Sequence, residues 1–265
     1  MDRKLGINSN CIRGMKELDV LPLIKEAGFV SFFTQAYTVS EVTALKEQAD
    51  KLGLFYESVH APFRGINPIW LSGMDYLPIY RGLKESIDAC AQNDIPIVVM
   101  HLSSGWKAPE INDLGLARYD ALVEYAAERG VTIAFENLRK IGNVAYFADR
   151  YANVPNVGFC YDCGHEHCYT KYISWPDIFR NRIVFTHIHD NLGRGDEETG
   201  DPDLHWLPFD GTKDYAFMMR QLDRYGYEGT LSLEAANHTR PEYLAMTPKD
   251  FLATCYERAA KIAKM

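Results

Sequence analysis

Six short apolar runs in this 265-residue chain each end in a side chain that can bind a metal ion or move a proton. The terminal residues are three histidines and three carboxylic acids: His60, His101, Glu136, Asp162, His187 and Glu234. A strand that finishes in such a residue delivers it to one rim of a sheet. Six strands of one sheet would crowd these groups together, and a cation is then needed to offset their repulsion and desolvation. The pattern predicts a metal-dependent active site.

Further metal-capable residues lie close to these strand ends. His165 follows Asp162 by one helical turn, and Asp203 and His205 form an Asp-x-His pair in the long loop after the seventh predicted strand. His189 has the same strand parity as His187, so it either reaches the site or supports a ligand. A single such residue could be a structural histidine or a helix cap. Taken together they favour a metal site, because each buried polar group would otherwise need its own partner.

Strand-like and helix-like stretches alternate along the whole chain, without a linker or a low-complexity tract. Eight such units predict an α/β fold, a single (β/α)8 TIM barrel over residues 1–265, with the site at the C-terminal rim of the strands. A doubly wound sheet is the alternative, but no glycine-rich phosphate loop follows the first strand. The predicted elements include a helix over 40–52 capped by Ser40 and a strand over 183–189, and the next predicted helix after Asp162 begins at Trp175.

Alternation within three predicted strands indicates which way their terminal acids point. Glu136, Asp162 and Glu234 each share parity with small residues, whereas the large apolar residues of those strands have the opposite parity. Small residues fit the interior of a barrel, and large apolar residues pack against the outer helices. The three acids are therefore predicted to point inward.

Composition limits the classes of partner. The net charge of −8 and the pI of about 5.5 argue against a large nucleic-acid surface, which needs clustered Lys and Arg. No apolar run approaches the ~20 residues that cross a bilayer, and the first residues do not resemble a secretion signal, so we expect a cytoplasmic protein that does not span a membrane. Cys160-x2-Cys163 has no matching second pair, so reduced thiols are expected rather than a zinc knuckle.

Several segments resemble the xylose isomerase-like TIM-barrel superfamily, and in particular its bacterial sugar phosphate isomerase/epimerase branch. The resemblance spans roughly residues 4 to 260 and is carried by 58–63, 135–138, 159–165, 187–191 and 231–234. In ketose epimerases of this superfamily, one divalent metal is held by Glu, Asp, His and Glu from successive strands. The resemblance implies that Glu136, Asp162, His187 and Glu234 do so here.

The apurinic endonuclease branch uses the same four positions and five more, which together build three zinc sites. The five additional positions correspond here to His60, His101, His165, Asp203 and His205, and all five are present. One to three ions per chain are therefore implied. Zinc or manganese fits this mixture of carboxylates and imidazoles, as do cobalt and magnesium.

The resemblance implies a metal-dependent isomerase or epimerase of a sugar or sugar phosphate, with Glu136 and Glu234 moving a proton next to a carbonyl through an enediolate. Phe63, Trp106, His189 and Arg194 are predicted to contact this carbohydrate. A zinc phosphodiesterase, a metal-dependent lyase or dehydratase and a non-enzymatic metal-binding module are the alternatives. The rim loops contain few basic residues, which disfavours a DNA substrate. By analogy with acidic barrels of this size, a homodimer is an open expectation.

Overall fold

A computed structural model describes residues 3–194 and 202–265, and this part of the chain contains eight strands. Each strand is short and almost wholly buried. They are β1 (Leu5–Asn8), β2 (Ser31–Thr34), β3 (Phe55–His60), β4 (Ile97–Met100), β5 (Thr132–Glu136), β6 (Val157–Asp162), β7 (Ile183–His187) and β8 (Leu231–Leu233).

Helices follow the strands along the chain. They are α1 (Glu17–Ala27), α2 (Val39–Leu52), α3 (Leu77–Gln92), α4 (Asp113–Ala127), α5 (Ile141–Arg150), α6 (Cys163–Tyr169), α7 (Trp175–Phe179), α8 (Tyr215–Arg224), α9 (Pro241–Leu244) and α10 (Pro248–Ile262). Short 3₁₀ turns cover Asn67–Trp70 and Arg180–Arg182. Among the residues described, no helix is both long and apolar enough to cross a bilayer.

The strands form a parallel sheet in the order β7-β6-β5-β4-β3-β2-β1-β8. The two ends of this order meet just beyond β7, where Ile188 bridges Leu233 and its amide nitrogen lies 2.8 Å from the carbonyl oxygen of Ser232. The sheet therefore curls into a (β/α)8 barrel, as predicted. All eight C-terminal strand ends lie on one rim, which is where barrel enzymes place their active sites.

The apolar core has an inner and an outer part, and this division confirms the predicted strand parity. Ala134 and Cys160 lie inside the barrel with Phe33, Val99 and Phe185. The alternating residues Ile133, Phe135, Phe159, Tyr161, Leu231 and Leu233 belong to the outer core under the helices. The terminal acids of β5 and β6 share parity with the inner residues and so reach the barrel axis.

Some predicted boundaries were wrong. Helix α2 begins at Val39, and its cap is Thr38, whose side-chain oxygen accepts a hydrogen bond from the Glu41 amide, instead of Ser40. Strand β7 ends at His187 rather than at His189, because the chain leaves the ladder to bridge β8. The segment after Asp162 is a helix, α6, which was not predicted since it has only seven residues and few apolar ones.

A buried carboxyl group at the other end of the barrel gives a prediction about stability. Glu57 on β3 is buried and accepts a hydrogen bond from Ser31; burial raises its pKa, although the bonds to Ser31 and Thr230 oppose the shift. A carboxyl group whose folded-state pKa is raised contributes stability at low pH and loses it as pH rises through that pKa. We expect Glu57→Gln to raise the free energy of unfolding by about 1 kcal/mol at pH 8 and much less at pH 4.

This expectation can be checked by urea unfolding of the wild type and the variant at both pH values. Glu47→Gln, on the exposed face of α2, is the matched control and should change neither value. A Glu57→Gln protein that is equally destabilised at both pH values would contradict the expectation that the buried, ionised Glu57 carboxylate destabilises the folded state at high pH.

Candidate metal-dependent active site

Four residues from four strand ends meet at the C-terminal rim. Ligand atoms of Glu136, Asp162, His187 and Glu234 all lie within 4.8 Å of one another, and all four residues are buried. They come from β5, β6, β7 and the residue after β8. The central group predicted from the sequence is therefore brought together in space.

Glu136 lies at the centre of a larger cluster. Its Oε2 is 2.9 Å from Nε2 of His101 and 3.3 Å from Nε2 of His60, while its Oε1 is 3.1 Å from Nδ1 of His187 and 3.2 Å from Nδ1 of His165. One carboxylate thus joins two groups of ligands. The first is His60, His101 and Glu136, and the second is the four-residue group above.

A third group lies on the other side of Asp162. Oδ2 of Asp203 is 3.1 Å from Nε2 of His165 and 3.3 Å from Nε2 of His205. His189 lies between, with its Nε2 3.2 Å from Oδ1 of Asp162 and its ring stacked on that of His205 at a centroid distance of 4.1 Å. All nine predicted ligand residues and His189 are therefore gathered at one rim.

Local hydrogen bonds hold Asp162 in place. The Asn137 side chain donates to the Asp162 carbonyl and accepts from the Asp162 amide, both at 2.8 Å, which ties the ends of β5 and β6 together. Oδ1 of Asp162 also caps α6 by accepting from the His165 amide at 2.6 Å. A cap and a metal ligand were alternative interpretations of a strand-end acid, and this geometry allows one carboxylate to do both.

The loop after β7 is organised by Asp190, which sequence analysis passed over. Its buried carboxylate accepts hydrogen bonds from the amides of Asn191, Phe209 and Lys213, and its backbone pairs with Trp206. The carboxylate thus ties both ends of the loop that carries Asp203 and His205. The signal in the sequence was an acid directly after His-x-His, but nothing local marked its distant partners.

The charged groups of the site shift one another's pKa values. Burial alone would raise the pKa of Glu136, but the His187 and His101 rings bring it well below its ordinary value. Burial would lower the pKa of His187, yet Glu234 and Glu136 raise it to about 9, and Asp203 and Glu234 in the same way raise that of His205 to about 10. His101 behaves differently, since burial lowers its pKa in spite of Glu136.

The donor set suits a divalent cation. Three carboxylates and one imidazole within 4.8 Å combine strong negative charge with burial, and such groups are stable together only when a cation or protons compensate them. Without a cation, the raised pKa of His187 means that protons supply that compensation. Mixed oxygen and nitrogen donors fit zinc, manganese or cobalt in particular.

The raised pKa values of His187 and His205 imply that metal binding releases protons. A histidine must lose its ring proton to ligate, and His187 and His205 are protonated at pH 7 in the metal-free protein. We expect zinc binding at pH 7 to release at least one proton. For each proton released, the apparent affinity for zinc should rise about tenfold per pH unit until the pH approaches the folded pKa of about 9 for His187. Calorimetry in buffers of different ionisation enthalpy measures this directly, and an affinity independent of pH between 6 and 8 would contradict it.

A cavity of about 310 Å³ opens above the cluster. Its walls include Glu136, Glu234 and Phe63 together with residues that sequence analysis missed, notably Gln35, Arg139 and Tyr169. The Arg139 guanidinium lies 3.7 Å from the centroid of the Tyr169 ring. Tyr169 is the i+4 neighbour of His165 on α6 and stacks on its ring, so a prediction of that helix would have found it.

The four predicted carbohydrate contacts lie at different depths. Phe63 lines the cavity and stacks on His101 at a centroid distance of 4.4 Å. His189 is fully buried beside Asp162, and Trp106 is 54% exposed and packs edge-on against Tyr169. Arg194 is exposed and is the last residue before the part of the chain that is not described. Their roles in binding a substrate stay predictions.

The fold and the site define a TIM barrel with a carboxylate–histidine centre suited to metals. The sequence profile of a family described as "Xylose isomerase-like TIM barrel" matches residues 21–255, so the chain belongs to this family. Among curated relatives, the chain is similar to the uncharacterized protein y4fM of Sinorhizobium fredii, with 28% identity over an alignment covering 91% of each chain. It is also 28% identical to the inosose dehydratase of Glaesserella parasuis over 44% of this chain and 45% of the relative.

Solved structures share the fold at low sequence identity. The IolI protein with a bound zinc atom has a TM-score of 0.75 and 19% identity, and 98% of each chain is covered. D-psicose 3-epimerase of Clostridium cellulolyticum H10 has a TM-score of 0.74 and 14% identity, also covering 98% of each chain. At these identities the similarity establishes the fold alone.

Proposed function

We propose that the protein is a divalent-metal-dependent isomerase or epimerase of a sugar or sugar phosphate. The observation that carries this proposal is that Glu136 and Glu234 line one cavity while sharing a four-residue ligand group. They come from the ends of β5 and β8, which are separated by four strands in one direction around the barrel and by two in the other. Two carboxylates that flank a bound sugar are the groups needed to remove and return a proton.

The residues of the site would have separate roles in this reaction. Glu136, Asp162, His187 and Glu234 would hold the metal, which when bound supplies a Lewis acid that stabilises negative charge developing on a carbonyl oxygen. One glutamate takes a proton from the carbon next to the carbonyl, and the other carboxylate returns one. The low pKa of Glu136 keeps this carboxylate ionised at neutral pH, as a ligand or a base must be.

The site excludes water on its inner side. Phe33 stacks on His187 at a centroid distance of 4.7 Å, and the apolar interior of the barrel lies directly below the ligands. Interactions of charged groups are stronger in such surroundings than in water. Return of the proton to the opposite face of the same carbon gives epimerisation, and transfer to the neighbouring carbon gives aldose–ketose isomerisation.

Hydrolysis of a phosphodiester is the second candidate function. It is favoured by further predicted ligands beside the central group: His60 and His101 form a compact group with Glu136, and Asp203 lies close to both His165 and His205. Clusters of two or three zinc ions stabilise both the attacking and the leaving oxygen of such a reaction. The scarcity of basic residues in the rim loops weighs against a DNA substrate.

Incubation of the zinc- or manganese-loaded protein with a panel of ketoses in deuterated water tests the proposal. We expect deuterium to enter at the carbon next to the carbonyl of at least one sugar, as detected by NMR. The same preparation is assayed for nicking of abasic duplex DNA. Nicking without exchange in any ketose would replace the proposed function by the second candidate.

A further inference from the structure

A second cavity, of about 670 Å³, lies beside the site under the loop that follows β3. It shares three wall residues with the cavity above the ligands: Gln35, His60 and Phe63. His60 is only 3% exposed, so a cavity that reaches it also reaches the ligand cluster. The two cavities are therefore neighbours with shared walls, and Phe63 lines both.

The walls of this side cavity are mainly apolar and come from three elements. Pro62 and Pro68 belong to the loop after β3, Ile79 belongs to the first turn of α3, and Tyr37 belongs to the loop after β2. Arg64 and Asp75 are exposed and supply charge at its edge. An aromatic ring with apolar neighbours and a few polar groups is the usual lining for a sugar ring or another compact organic group.

The loop that forms the cavity is firmly held. Trp70 is fully buried and donates from its indole nitrogen to the Leu102 carbonyl at 2.6 Å. The Arg118 guanidinium donates to the carbonyls of Ile69 and Leu71 and lies 3.6 Å from the centroid of the Tyr76 ring. The cavity is thus a built feature of the fold.

Gly82 on α3 contributes to the space. A Cβ atom at this position would lie 2.9 Å from Cγ of Pro62 and 3.6 Å from the Tyr37 ring. Glycine in the middle of a helix costs about 1 kcal/mol relative to alanine. The close approach of Pro62 and Tyr37 accounts for its presence, and it places the α3 backbone directly in the cavity wall.

From this geometry we infer that the substrate is a glycoside, and that the side cavity receives the group attached to the reacting sugar. The inference rests on the proposed function, because the cavity above Glu136 and Glu234 would hold the reacting sugar. A cavity of about 310 Å³ suffices for one sugar ring, and a free monosaccharide would leave the neighbouring 670 Å³ to solvent. Phe63, at the junction, contacts both parts of such a substrate.

Keto-disaccharides test this inference, because they differ from a free ketose only in the attached ring. Deuterium exchange by the metal-loaded protein is measured for D-fructose and for turanose, maltulose and isomaltulose, in which glucose is joined to different hydroxyls of fructose. We expect kcat/KM for at least one disaccharide to exceed that for D-fructose by at least tenfold. Pro78→Trp adds an indole to the exposed edge of the cavity wall. This variant should lower the ratio of kcat/KM for that disaccharide to kcat/KM for D-fructose by at least tenfold.

Leu71→Trp is the matched control, since Leu71 is half exposed in the same loop but does not line the cavity. It should leave the ratio unchanged. D-fructose turned over as well as every disaccharide would overturn the inference, and so would a disaccharide preference that survives Pro78→Trp.

Binding distinguishes failure of this inference from failure of the proposed function. If no sugar exchanges, saturation-transfer NMR compares the same four sugars with the wild type and with Pro78→Trp. Disaccharide signals that are strong with the wild type and reduced at least threefold with the variant would support the glycoside site without the reaction. Equal signals for D-fructose and the disaccharides, or signals unaffected by the variant, would overturn it.

Discussion

Replacing Glu136 by glutamine is expected to reduce the bound metal sharply and to remove nearly all catalysis. Its carboxylate oxygens lie within 3.3 Å of imidazole nitrogens of His60, His101, His165 and His187. The negative charge of Glu136 therefore compensates positive charge on any of these four histidines. The amide of glutamine keeps the shape of the side chain but is a much weaker ligand and cannot accept a proton at neutral pH. We expect kcat/KM for deuterium exchange to fall by at least about 10³-fold and the bound metal to fall below one ion per chain.

Elemental analysis after gel filtration, together with the exchange assay, checks this expectation. Glu110→Gln is the matched control, because Glu110 is a rim-loop glutamate whose side chain is 78% exposed and pairs only with Lys140 among the described residues. That control should retain metal and activity. A Glu136→Gln protein with full metal content would show that this carboxylate is not a ligand.

Replacing Glu234 by glutamine is expected to separate catalysis from part of the metal binding. Glu234 belongs to the central group of four but not to the group formed by His60, His101 and Glu136. Its carboxylate also faces the cavity. We expect exchange to fall by about 10²–10⁴-fold, the range for loss of a general acid or base, while the outer His60–His101–Glu136 group keeps its ion.

The metal contents of the two variants can also be compared with each other. If both groups bind metal, Glu136→Gln should lower the ion count by more than Glu234→Gln does. Full exchange activity in Glu234→Gln would contradict the proton-transfer role, whatever its metal content. Circular dichroism confirms for each variant that the barrel is folded.

Much of the site could be predicted because strand geometry is periodic. The acids of β5, β6 and β8 alternate with large apolar residues, and that alternation alone fixes which way a strand-end side chain points. The parallel order of the strands then places every such residue on one rim. Neither step requires knowledge of distant contacts.

Other features depended on contacts between residues far apart in the sequence. Asp190 is important because of Phe209 and Lys213, and nothing near Asp190 indicates those partners. Arg139 and Tyr169 meet only because α6 forms, and that helix is held by its Asp162 cap rather than by an apolar pattern. The side cavity arises from three separate elements and has no sequence signature at all.

Anomalous diffraction from crystals of the metal-loaded protein tests most directly whether the four strand-end residues bind a divalent metal. With data collected on both sides of the metal's absorption edge, we expect an anomalous peak among the side chains of Glu136, Asp162, His187 and Glu234, at about 2.0–2.2 Å from their ligand atoms for zinc. A fully loaded crystal with no peak at that position, or with its peaks only elsewhere on the protein, would contradict the account.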